Sequence, residues 1–270
     1  MYCTVQKRTT SSGIVRLRTI SRLYVLMLDL LRILSNIAGK MSVIILIIFV
    51  VLLILAPQWW VKYVLNKHSK PLDGMPGNGG ELATHLLEKF DLTQVRVEAA
   101  DEGADHYDPQ DNVVRLSPSY LDGKSLTAVA VAAHEVGHAI QFNRNEKVSL
   151  LRKRYLPMAH VIQKVGIYFL MALPIVTAIF RVPHVAGITG LIGLAVLLSS
   201  VLMYAAILPE EWDASFNKAL PILEKGEYVP TQYIPAVRQI LRACALTYVA
   251  AALASVLSMW RWLAILRALR

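Results

Sequence analysis

Cysteine, charged residues and loop-forming residues are all scarce in this chain, and each scarcity excludes a class. Two cysteines, Cys3 and Cys244, lie at opposite ends of 270 residues, which rules out a disulfide framework or a Cys-based zinc finger. Fourteen Gly and twelve Pro are too few for a collagen-like or low-complexity chain. Only 17% of residues are charged, against about 25% in ordinary soluble domains. With 55% hydrophobic residues and a mean hydropathy of +0.47, the chain is neither disordered nor a typical soluble protein. It contains no internal repeat.

Positive charge is present but unevenly placed. Lys7, Arg8, Arg16, Arg18, Arg22, Arg32 and Lys40 face one acid, Asp29, so residues 1–40 supply +6 of the net +9. A basic stretch ahead of an apolar segment suits a membrane-flanking or targeting role, not a nucleic-acid-reading face, and nucleic acid is not an expected partner. Met41 opens a well-formed hydrophobic segment, so residues 1–40 read as a basic extension or as upstream sequence from a misassigned start.

Four stretches suit a bilayer, where about 20 apolar residues cross the hydrocarbon. Residues 41–65 form the first, with Trp59, Trp60 and Tyr63 as an interfacial aromatic belt and no small-residue cleavage site after it. Residues 165–208 read as a helical hairpin of two spans, Val165 to Phe180 and Val185 to Leu208. Gly187, Gly190 and Gly193 give its second arm a small-residue stripe for close helix approach. Residues 243–266 form the fourth, ending in Trp260, Arg261 and Trp262. The spans carry few polar side chains beyond Ser199, Ser200 and Tyr204, which disfavours a transporter.

Residues 66–160 are polar enough for a small domain, completed by residues 209–242. Glu81 to Phe90 has helical spacing, Gln94 to Glu98 alternates as a strand does, and Gly103 to Asp111 reads as a loop before a second strand, Asn112 to Leu116. Asp122 or Ser125 caps a helix running to about Phe142. Asp105, Asp108 and Asp111 lack the glycine and terminal glutamate of a calcium-binding loop and read as turn-forming acids.

Within that helix stands His134-Glu135-Val136-Gly137-His138, an H-E-x-x-H motif. Two His four residues apart share one helical face, so both imidazoles reach one Zn²⁺, and Glu135 is placed to take a proton from metal-bound water. A catalytic zinc site needs a third protein ligand. Glu146 is too close along the chain, whereas Glu210, Glu211 and Asp213 follow two spans later and so return to the same membrane face. His106 and Tyr107 are candidate donors to the oxyanion of a tetrahedral intermediate. His68, His85, His160 and His184 lack partners at metal-ligand spacing and read as surface or interface residues.

The segments AAHEVGHAIQ, DHYDP (Asp105 to Pro109), RLSP (Arg115 to Pro118) and EEWDAS resemble the bacterial YugP-type membrane zinc metallopeptidases, from about Met41 to the last span. That family is similar in layout to the HtpX class of integral-membrane proteases, gluzincins with a distal glutamate ligand. The resemblance implies a mainly α integral membrane protein with about four transmembrane helices and a small α+β zincin-like catalytic domain. It implies one Zn²⁺ per chain on His134, His138 and Glu211, with Glu135 as general base. HtpX-like proteases place an Asp four residues after the ligand Glu, where this chain has Ser215. Glu210 and Asp213 therefore remain as alternative ligands or as hydrogen-bond partners of a ligand imidazole.

The expected activity is that of a membrane-anchored zinc metalloendopeptidase. Asn112 to Leu116 would offer its edge to an extended substrate, favouring unfolded or membrane-associated polypeptides. Eleven Lys and Arg flank the spans on the catalytic side. From Met41 onward the other side holds Arg181, Arg261, Arg267 and Arg270, so the active site is expected to be cytoplasmic, in a bacterial inner or plasma membrane. Residues 1–40 would offset that bias. An intramembrane protease is disfavoured because polar residues, Asp122, Lys124, Asn143 and Arg144, flank the short zinc helix. A non-catalytic zinc-binding membrane sensor or scaffold is the alternative, and it would need a fourth protein ligand.

Overall fold

The computed structural model describes residues 41–268 apart from 43, 47, 173–174, 177–178 and 180–182, without the side chains of 183–187, 194 and 255–268. The basic stretch 1–40, the end of the expected span at Phe180, and Arg181 lie outside the described residues. The chain divides into two units, residues 1–52 and 53–270. Most of the described chain is helical, with one three-stranded sheet.

In order, the elements are α1 (Ile44–Lys67), α2 (Gly79–Lys89), β1 (Arg96–Ala99), β2 (His106–Asp108), β3 (Val113–Leu116), α3 (Pro118–Leu121) and α4 (Leu126–Asn143). Then come α5 (Ser149–Met171), α6 (Pro183–Ala205), α7 (Leu208–Trp212), a π-helical stretch (Asp213–Ala219), α8 (Leu220–Lys225) and α9 (Ile234–Ala268). Helix α2 starts where Asn78 and Glu81 form a reciprocal capping box, each side chain accepting the other's backbone N–H. Helix α4 starts at Ser125, whose hydroxyl accepts the Ala128 N–H.

The sheet order is β1-β3-β2, with β1 parallel and β2 antiparallel to β3. Two expectations change here. The loop expected over Gly103 to Asp111 contains β2, a strand of three residues that is too short and too polar to show alternation; only Tyr107 is buried in it. And β3, expected to offer an edge to substrate, is the central strand, hydrogen-bonded on both sides. The free edge nearest the H-E-x-x-H helix belongs to β2, whose Tyr107 N–H reaches Glu135 on α4.

Helix α4 is buried from Leu126 to Gln141. Its Ala-rich faces let α2, the π-helical stretch and α9 pack closely around it, as a helix apolar on all sides requires. Leu86, Ile140, Leu223, Ile240 and Leu241 are fully enclosed in this core, each worth about 1.5–3 kcal/mol of burial. Helices α5 and α6 pack as a hairpin. Gly166 and Gly193 permit the approach, since a Cβ on Gly193 would lie 2.4 Å from Leu170 Cγ and one on Gly166 2.9 Å from Leu197 Cγ.

Among the described residues, three helical runs are long and apolar enough to cross a membrane: Ile44–Lys67, Ile188–Lys225 and Thr231–Ala254. Ile45, Leu53, Val161, Tyr168, Leu191 and Leu202 are exposed on α1, α5 and α6. Exposed apolar residues this numerous mark an interaction surface.

Candidate metal centre

Helix α4 supplies His134 and His138 from one face, four residues apart, with ring centroids separated by 4.7 Å. Helix α7 brings Glu211 against them. Its Oε2 lies 3.3 Å from His134 Nε2 and 3.3 Å from His138 Nε2. All three side chains are buried, and their ligand atoms lie within 4.8 Å of one another. The approach depends on Gly137, between the two His: a Cβ there would lie 2.8 Å from the Ala214 carbonyl oxygen, so a side chain would push the π-helical stretch away.

The neighbours place a proton on Nδ1 of both rings. Ser215 donates its hydroxyl proton to the Leu241 carbonyl (3.0 Å), so at its 3.0 Å contact with His134 Nδ1 it must accept. Gln141 donates through its amide nitrogen to the Glu210 carbonyl (3.0 Å) and to Asp213 Oδ2 (2.8 Å), leaving its Oε1 to accept from His138 Nδ1 at 2.9 Å. Each neutral ring therefore carries its proton on Nδ1 and a lone pair on Nε2. Burial first, and the Arg152 guanidinium second, hold the His138 imidazole below its ordinary pKa, so it is neutral at pH 7.

Two Nε2 atoms and a carboxylate oxygen thus converge, and the Arg152 guanidinium donates to two of the three, His138 Nε2 and Glu211 Oε1. Two imidazole nitrogens and one carboxylate oxygen make a donor set suited to zinc, and three protein ligands leave a fourth position open.

Around the trio, Glu135 is buried and its Oε2 accepts the Tyr107 N–H at 2.8 Å. The Tyr107 phenol points elsewhere, to Asn112 (2.7 Å) and Asn143 (3.0 Å), so the residue reaches the centre through its backbone. His106 donates Nδ1–H to the Ala104 carbonyl (2.7 Å) and lines the cavity at the centre. Glu210 lies on the far side of His138, where its Oε2 accepts the Arg152 backbone N–H at 2.8 Å. Asp213 accepts from Gln141, Asn217 and Lys218. Neither joins the trio; Asp213 instead holds Gln141, which orients His138. Of the three acids expected to form turns, Asp108 does so by accepting the Gln110 N–H; Asp105 instead accepts from Ser117 on the far side of β3, and Asp111 from Arg115.

A cavity of about 330 Å³ opens onto Glu135, the two His and Glu211. A second, of about 670 Å³, runs along β2 and the start of α5 and shares His106, Arg152 and Tyr248 with the first. Together they reach the size range of ligand sites.

Residues 43–267 match the family described as "Putative neutral zinc metallopeptidase". The chain belongs to this family. It is also 33% identical over 227 residues to "Putative membrane protease YugP" of Bacillus subtilis (strain 168), covering 82% of this chain and 96% of that relative. No solved structure matches the chain significantly. Zinc is the ion in the metallopeptidase family's description, and the His134, His138 and Glu211 donor set fits it.

Two residues at this centre escape sequence reasoning. Gln141 carries a usable signal, since it falls three residues after His138 on the same helical face. Arg152 carries none, because the turn between α4 and α5 alone brings it back to the centre.

Proposed function

We propose that this chain is a membrane-anchored zinc endopeptidase whose metal ligands are His134, His138 and Glu211 and whose general base is Glu135. The observation that carries this reading is the set of two imidazole Nε2 atoms and one carboxylate converging beside a second buried carboxylate, in a zinc metallopeptidase family. A bound zinc ion would supply a Lewis acid for the scissile carbonyl and would acidify water.

The remaining chemistry belongs to the protein. The Tyr107 N–H holds Glu135 Oε2, leaving Oε1 to take the proton of the attacking water and pass it to the leaving amine. His106, with Nδ1–H committed to Ala104, donates to an oxyanion from Nε2 only as an imidazolium. In an antiparallel strand the N–H and C=O of one residue point to the same side, so Tyr107 also directs its carbonyl to the free edge of β2. An extended polypeptide pairing there would be recognised through its backbone, which favours unfolded or membrane-associated substrates.

The proposed architecture is a small α+β zincin-like domain, residues 66–160 completed by 209–242, carried by about four membrane spans. The segment 41–65, the hairpin 165–208 and the segment 243–266 supply those spans. Exposed apolar side chains on α1, α5 and α6 support the anchoring, and the Lys and Arg distribution supports a cytoplasmic active site in a bacterial inner membrane. One zinc per chain is expected.

The test is casein hydrolysis by detergent-purified protein, with wild type and E135Q compared at equal zinc loading. Wild type is expected to cleave and to stop on chelation, and E135Q to keep its zinc and lose about 10²–10⁴-fold in rate. Zinc-loaded wild type that cleaves nothing, and is indistinguishable from E135Q, would replace this reading with the sensor or scaffold.

A further inference from the structure

Arg152 is the buried cation closest to the candidate metal ligands, and its contacts exceed those of an ordinary ion pair. The residue is 7% exposed and sits in the first turn of α5. One guanidinium nitrogen, Nη2, donates to Glu211 Oε1 and lies 3.0 Å from His138 Nε2. Its Nε lies 3.0 Å from Glu210 Oε1, an ion pair without hydrogen-bond alignment. The guanidinium also lies 5.3 Å from the centre of the Tyr248 ring.

His138 Nε2 has a single lone pair, because its proton is on Nδ1 facing Gln141. In this structure that lone pair accepts from Arg152. A metal ion held by His138 needs the same lone pair, and one lone pair cannot serve both. Charge points the same way. Buried Glu135 and Glu211 line the cavity with one guanidinium, so the centre without a metal relies on Arg152 for its only nearby positive charge among the described residues.

We propose that Arg152 takes the cation's place in the metal-free protein and withdraws from His138 when metal binds. This rests on the metal-site reading above. Glu210 and the Tyr248 ring give the guanidinium a seat that does not involve His138, and the adjoining cavity of about 670 Å³, which Arg152 also lines, gives it room. Arg152 is thus a positioning residue. It keeps Glu211 and His138 facing each other before loading, and it sets metal affinity by competing for the ligand lone pair. Its loss should harm the metal-free form more than the loaded form, and by linkage an unequal loss appears as tighter metal binding to the folded protein.

The experiment compares wild type, Arg152→Met and Arg152→Gln, purified in detergent with zinc and then stripped with a chelator. Thermal melts with and without zinc are paired with zinc titration against a competing chelator. Both substitutions are expected to lower the melting temperature of the stripped protein more than that of the loaded protein, and to tighten zinc binding about 5–150-fold. A variant that folds only with zinc, and then melts close to wild type, is the same result in stronger form. Equal losses in both forms, failure to fold even with zinc, or unchanged or weaker zinc binding would overturn the proposal and make Arg152 a structural ion-pair partner. Wild type that takes up no zinc would instead remove the metal-site reading on which the proposal stands.

Discussion

Ser215 and Gln141 commit their donors to Leu241, Glu210 and Asp213, and that commitment holds a proton on Nδ1 of both His134 and His138 and turns each Nε2 toward Glu211. Neither residue touches the proposed metal position, yet each fixes a tautomer and a ring plane. S215A and Q141A are expected to weaken zinc binding about 10–100-fold, measured by competition with a chelator, while leaving the fold intact by circular dichroism. The His pair was legible from its spacing alone, because four residues on a helix is a geometric statement. By spacing Glu211 was one member of an acidic cluster, and the family resemblance alone singled it out. What separates it from Glu210 and Asp213 is the direction each side chain takes from α7 and the π-helical stretch, and direction over one turn is set by tertiary packing. Ser215 stood out as a departure from the aspartate of HtpX-like proteases, and a hydroxyl held by Leu241 accepts the same imidazole proton that a carboxylate would.

At the scale of elements, the centre depends on how closely α4 and the π-helical stretch Asp213–Ala219 approach. Gly137 faces the Ala214 carbonyl, where a Cβ would be 2.8 Å away, and the backbone at Ala214 cannot yield without moving Glu211 and Ser215 on either side of it. G137A is expected to cost about 1–3 kcal/mol as an overpacked contact. It should also weaken zinc binding, because the same shift opens the distance from Glu211 to the two His. Thermal melts and zinc titration of G137A check both effects; a variant that binds zinc like wild type would show that the contact is not what positions Glu211. Helix α4 was visible in the sequence, where Asp122 and Ser125 both offered a cap; packing selects Ser125. Strand β2 was not. Its residues, His106 to Asp108, have no pattern of their own and form a strand because β3 provides an antiparallel partner and Glu135 accepts the Tyr107 N–H. The edge expected of β3 passed to β2 for the same reason: sheet order is decided by contacts far apart in sequence.

At the scale of the whole molecule, long apolar helical runs flank the polar segment that carries the H-E-x-x-H helix, and the last of them, α9, also helps enclose that helix. The apolar runs were legible because hydropathy over about 20 residues is nearly sufficient to mark a span. Their exact limits were less so: only the turn at residues 206–207 separates α6 from α7, which runs on through the π-helical stretch into α8, and composition alone does not mark where a membrane would end. If the proposed orientation holds, Glu102, exposed in the turn between β1 and β2, faces the cytoplasm. A Glu102→Cys variant in a Cys3→Ser background should react with a membrane-impermeant thiol reagent in inside-out vesicles and not in intact spheroplasts, and the reverse pattern would invert the topology. The central claim is that His134, His138 and Glu211 together hold one metal ion. Zinc content per chain, determined by elemental analysis of detergent-purified wild type, H138A, E211Q, E210Q and D213N, tests it most directly. The account predicts about one zinc in wild type, E210Q and D213N and none in H138A and E211Q after dialysis; full zinc retention by E211Q, with loss in E210Q or D213N, would contradict it.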